Sequence, residues 1–185
     1  MDNMIEQKDD PNIEEKYGID FSALKPGEFK AGSGAVLQFE KGYGYISISD
    51  GGKYELSAEV ESGILKVRLF TKDRETGLHH PDMFASKFLE TALSYFEKQG
   101  VIIREFRDIW EKGSDTYERF QAEYSLTGSL IEAAKSNLLE PVRRRGFTDI
   151  KDQDVRIVKY PDNPEFDCVY ATFRKKESVN FSQAA

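Results

Sequence analysis

AVLQFEKGYGYISISDGGKYELSAEVESGILKVRLFT, residues 35–71, alternates in character with a period of two and is punctuated by glycine. Tyr45, Ser47 and Ser49 alternate with Ile46 and Ile48. Tyr54, Leu56, Ala58 and Val60 alternate with Glu55, Ser57 and Glu59, and Lys66 and Arg68 with Leu65, Val67 and Leu69. Successive side chains of a strand point to opposite faces, so this pattern predicts strands with one buried and one wet face. Four strands are expected, at Ala35–Phe39, Tyr43–Ser49, Tyr54–Val60 and Ile64–Thr71. Glu40-Lys-Gly42, Asp50-Gly-Gly52 and Glu61-Ser-Gly63 separate them, each with a glycine free to take the positive φ of a tight hairpin. The reading is an antiparallel β-meander.

Downstream the period changes. Phe84, Phe88, Ala92 and Phe96 fall on one helical stripe, flanked by Ala85, Leu89 and Leu93. Pro81 suits the first helical position, Asp82 suits the helix dipole, and Gly100 ends the helix. This long amphipathic helix is expected to cover the apolar face of the meander. Val101–Phe106 reads as a strand. Asp115-x-x-Glu118 resembles a capping box with Asp115 as the cap, and Tyr117, Phe120 and Tyr124 form the inner face of that helix. Thr127-Gly-Ser129 opens another helix through Leu130, Ile131, Ala134 and Leu138, which Pro141 breaks or restarts and Gly146 stops. Val155–Tyr160 and Phe166–Arg174 form a C-terminal β-hairpin around Pro161-Asp-Asn-Pro164. The fold class is α+β, in a single domain over residues 18–176. A disordered acidic arm is expected over residues 1–17 and a disordered tail over 177–185.

Composition supports a packed core. Of 185 residues, 39% are hydrophobic, and 13 Phe with 9 Tyr make the apolar content aromatic-heavy. The net charge of −7 is concentrated at the start, where residues 1–20 hold seven acids against two lysines. The remainder is close to neutral, which argues against general nucleic-acid binding, since that needs a basic face to neutralise phosphates. One cysteine, Cys168, excludes an intrachain disulfide and a site of several thiolates. No apolar run approaches the roughly 20 residues of a membrane span, and the polar N-terminus is unlike a secretory signal, so a cytoplasmic location is expected.

Three groups of residues have the types that chemistry uses. His79 and His80 are the two histidines, and with Asp82 they have the makings of a general base or a partial metal site, or else of a polar helix start. Spacing for further ligands is missing, so no metal and no cofactor are expected. Ser114 and Asp115 present a hydroxyl and a carboxylate at a helix N-terminus, where backbone N–H groups attract anions; an ordinary cap reads the same way. Arg143, Arg144 and Arg145 form the strongest basic cluster and Arg174-Lys-Lys176 the second; together they suit an anionic ligand or an acidic protein partner. Successive helical residues lie about 100° apart, so the three arginines fan out and at most two grip one anion.

Tyr95-Phe-Glu-Lys-Gln-Gly100, Trp110-x-x-Gly-Ser-Asp115, Phe120, Glu132-Ala-Ala134 and Gly146-Phe-Thr148 follow one another in an order that resembles C-terminal modules of bacterial polymorphic toxins and related proteins. The resemblance spans residues 94–150. Those modules read Thr-Trp-Thr-Gly-Lys in the middle, where this chain has Ser136-Asn-Leu-Leu-Glu140. The resemblance implies a bacterial source and a contact-dependent or secreted-effector context, and it brings no catalytic assignment. The expected function is therefore a non-enzymatic binding or interaction module. The competing reading is an enzyme acting on a phosphate-bearing substrate through His79 and His80 with Asp82, or through the arginine cluster.

Overall fold

The computed structural model describes residues 24–176. The expected arm over 1–17 and the tail over 177–185 lie outside the described residues. Among the described residues nine strands join one sheet: β1 (Gly27–Lys30), β2 (Val36–Gly42), β3 (Tyr45–Asp50), β4 (Tyr54–Glu61), β5 (Ile64–Phe70), β6 (Glu105–Glu111), β7 (Phe147–Asp149), β8 (Val155–Val158) and β9 (Cys168–Lys175). Four helices accompany them: α1 (Ala85–Lys98), α2 (Asp115–Thr127), α3 (Leu130–Asn137) and α4 (Glu140–Arg144). The α+β class, the meander, the long helix, the shorter helices and the C-terminal hairpin are all present.

The strand order is β1-β2-β3-β4-β5-β6-β9-β7, with β8 also on β9. β1 to β5 run antiparallel by short turns. β5 then pairs in parallel with β6, because α1 carries the chain back across the sheet between them. β9 returns antiparallel to β6 and pairs with β8 from Val155↔Ala171 to Val158↔Cys168.

The inward phase of each strand meets the helices in one core. Phe39, Ile46, Leu56 and Leu65 from the meander, Phe106 and Trp110 from β6, and Val169 and Phe173 from β9 are buried with Phe88, Leu89, Leu93 and Phe96 of α1 and Phe120 of α2. The Trp110 and Phe120 rings lie 5.6 Å apart. No helix among the described residues is long and apolar enough to cross a membrane.

Several local expectations shift. Gly27–Lys30, outside the four expected strands, forms edge strand β1. The first hairpin turns at Tyr43-Gly44, with Gly44 at φ 66°, so β2 continues through Gly42. α1 begins at Ala85 rather than Pro81, because Asp82 is committed elsewhere: its carboxylate accepts the Ser33 N–H (3.1 Å) and hydroxyl, and its own N–H donates to His80 Nδ1 (3.1 Å). The strand expected at Val101–Phe106 runs instead from Glu105 to Glu111. Residues before it are held to the end of the meander by the Gly63 carbonyl, which accepts the Arg104 and Glu105 N–H groups. Ser114, not Asp115, caps α2, its Oγ accepting the Tyr117 N–H at 3.2 Å.

Candidate functional site

β5 and β6 are paired over three positions, Ile64↔Glu105, Leu65↔Phe106 and Lys66↔Arg107, and then part. Between their diverging ends opens a cleft of about 110 Å³ lined by Leu69, Phe70, Asp108, Ile109 and Glu111 from the strands and by Ser114, Asp115 and Thr116 from the start of α2. These are the carboxyl ends of a parallel strand pair, each followed by a connection into a helix, the place where open α/β sheets hold ligands.

Asp108 lies in the wall of this cleft on the inward phase of β6, between Phe106 and Trp110, and is only 6% exposed. Its Oδ1 accepts the Ile109 N–H, a backbone donor of the parted segment, and its Oδ2 accepts the Trp110 indole N–H, both at 2.9 Å. Burial pushes its pKa up to about 6, and the two N–H donors offset part of that rise.

A small hairpin between β5 and α1 borders the cleft. Lys72 and His79 are bridge partners, closed by Asp73 N–H to the Leu78 carbonyl (2.9 Å) and Gly77 N–H to the Asp73 carbonyl (2.8 Å), with Gly77 at φ 70°. Both bridge residues reach the same carboxylate. Lys72 Nζ donates to Asp115 Oδ1 at 2.9 Å, and His79 Nε2 lies 3.1 Å from Asp115 Oδ2. The Lys72 ammonium holds the Asp115 carboxyl below its ordinary value. Arg74, at the hairpin tip, pairs with Glu111 at the end of β6.

The structure thus brings His79, Ser114 and Asp115 to one cleft. His80 and Asp82 are near in the chain but face elsewhere. His80 is 4% exposed, with Nε2 3.1 Å from Asp50 Oδ2 and its ring edge-on to Tyr54 at 4.9 Å between centroids. It ties the β3–β4 turn to the segment before α1, a buried structural contact rather than the polar helix start expected of it. Asp82 anchors the Ser33 turn as described. Among the described residues no group of three or more His, Cys, Asp and Glu is placed to hold a metal.

Arg143, Arg144 and Arg145 lie at the opposite end of the sheet, where β9 finishes at Lys175 and pairs with Phe147. The full length of β6, roughly 20 Å, separates the two ends. The arginines are committed. Arg145 donates to Glu90 (3.0 Å) and Glu97 (2.8 Å) of α1 and to Ser94 (3.1 Å); Arg144 donates to Glu90 (2.7 Å); Arg143 meets Glu140 (3.2 Å) and the Leu138 carbonyl (3.1 Å). The Arg145 hydrogen bond holds the Glu90 carboxyl below its ordinary value. The cluster read as a binding patch therefore pins α4 against α1. The second basic cluster does lie beside it, since the Lys176 N–H donates to the Gly146 carbonyl (3.1 Å), but Arg174 is bound by Glu105 and Asp154.

Sequence reasoning missed Asp108. A charge on the inward phase of Phe106-x-x-x-Trp110 is the signal that marks it, and it is legible only when the strand is placed at 105–111. Compared with models of known protein families, with curated proteins and with solved structures, the chain matches none.

Proposed function

We propose that this chain is a non-enzymatic binding module that engages a protein partner through the end of the sheet where β5 and β6 part, within a bacterial toxin or effector system. The observation that carries the reading is a set of exposed apolar side chains on the segments at this end of the sheet. Leu78 beside His79 is 65% exposed and Phe84 beside Ala85 is 51% exposed, with Ile109 in the cleft wall and Phe166 near the turn that meets Lys112 also exposed. Large exposed apolar side chains at one end of a sheet suit a protein interface. Close approach of the histidines and the arginine cluster would favour the enzyme reading, and the two groups lie at opposite ends of the sheet.

Photo-crosslinking residues placed at Leu78, Phe84 and Phe166, with Ile102 at the far end as control, test this. One protein captured from the three cleft-end positions, displaced by unlabelled chain and absent from the Ile102 sample, is the expected result. Equal capture at Ile102, or capture there alone, overturns it.

A further inference from the structure

We propose that the cleft between the parted ends of β5 and β6 is a socket for an arginine side chain of the protein partner, with Asp108 as the carboxylate that receives the guanidinium. This rests on the partner reading above and adds to it the chemistry of the contact.

Three carboxylates line the cleft, and they differ in what they hold. Glu111 holds Arg74, and Asp115 holds Lys72 and His79. Asp108 is the most deeply buried, yet among the described residues it has no cation. It has the Ile109 and Trp110 N–H groups, one on each oxygen. A carboxylate has about four acceptor sites, so each oxygen keeps capacity for one more donor. A planar guanidinium supplies two parallel N–H donors at that spacing. Leu69, Phe70 and Ile109 offer apolar wall to the methylene stem of such a side chain.

The charges around the cleft favour a cation over an anion. Lys72 and Arg74 are already neutralised by Asp115 and Glu111, so an incoming anion would have to displace one of those acids while facing Asp108. An incoming guanidinium needs no displacement. Lys112, in the turn before α2, is the remaining cation on the rim, and Ala85 and Leu139 bring no charge. The raised pKa of Asp108 is the cost of burying a carboxylate with N–H donors alone, and a guanidinium in contact with it removes that cost. Binding is therefore stronger above the titration of Asp108 than below it.

Trp110 is the sole tryptophan, and its indole N–H donates to Asp108, so its NMR resonance reports on the socket. The probe is Nα-acetylarginine amide, with the citrulline and glutamate amides as controls. The arginine probe is expected to shift the indole resonance saturably, the controls not at all, and its affinity to be roughly tenfold higher at about pH 7.5 than at about pH 5. Asp108→Asn should abolish the response. Ala85→Leu, which narrows the cleft and leaves the bonds of Asp108 intact, should weaken it even if the Asn variant does not fold. No saturation, an equal response to citrulline, a response to glutamate or a pH-independent affinity overturns the socket. Partner capture at Leu78, Phe84 and Phe166 with a silent titration refutes the socket and retains the partner. A saturable titration without capture retains the guanidinium site and removes the partner.

Discussion

The two ends of the sheet use charge in opposite ways. At the arginine end, five side chains from α1 and α4 close on one another: Arg144 and Arg145 against Glu90 and Glu97, with Ser94 between. At the cleft end, Asp108 is buried with two N–H donors and no cation, and the paired charges around it are exposed. The densest cluster in the chain is spent on holding a short helix, while an isolated aspartate keeps unspent capacity. Local charge density is thus a poor guide to spare binding capacity; what decides it is whether a charge finds its complement within the fold.

The contrast has a scale, set by the core that joins the ends. Phe88 lies mid-helix and is buried, so Phe88→Ala should lower unfolding free energy by about 3–5 kcal/mol, measured by urea denaturation. A loss below about 1 kcal/mol would mean that α1 does not seat both ends on one core.

The next largest effect is a change with pH. The native state holds the Asp108 proton to about pH 6, and the unfolded chain releases it near 3.8. Between those values the native state binds more protons, so the stability contributed by Asp108 is full at low pH and falls as pH rises through the window. Relative to Asp108→Asn, the wild type should lose roughly 2 kcal/mol on going from about pH 4 to about pH 6.5, with little further change above. Parallel stability curves for the two proteins would show that Asp108 is not penalised by burial and would remove the contrast.

At the other end, Arg145→Gln should destabilise by about 1–2 kcal/mol, because it leaves Glu90 and Glu97 without their main partner. Arg143→Gln, in a single exposed pair, should cost at most about 0.5 kcal/mol. Equal and small losses at both positions would place the arginines back among free surface charges. A comparably small effect belongs to the hairpin beside the cleft: Asp115→Asn removes its exposed contacts to Lys72 and His79 and should cost less than about 1 kcal/mol, a loss that shrinks further in high salt.

The meander was legible because alternation and glycine coincide over residues 35–71, so local preference and burial agree. β1 was not, since the four residues Gly27–Lys30 carry too little pattern to mark a strand. β6 was misplaced because Asp108 interrupts its apolar phase. The residue that obscured the strand is the one that marks the cleft. His79, Ser114 and Asp115 were recognisable by type. Their meeting was not, because it depends on Lys72 opposing His79 across a hairpin bridge and on two strands parting. The fate of the arginines had a visible signal: Glu90 and Glu97 are seven apart on one helix flank, a ready acceptor for a helix ending in arginines.

The parallel seam also orders the assembly of the molecule. Each hairpin from β1 to β5 closes with few residues between partners, whereas joining β5 to β6 requires the whole connection through α1 to be in place first. The meander is thus expected to form early and the second half of the sheet to dock onto it late, through three residue pairs. The contact expected to close last in folding is a seam of three residue pairs, and a guest seated between the parted ends of β5 and β6 would press on that joint between the two halves of the sheet.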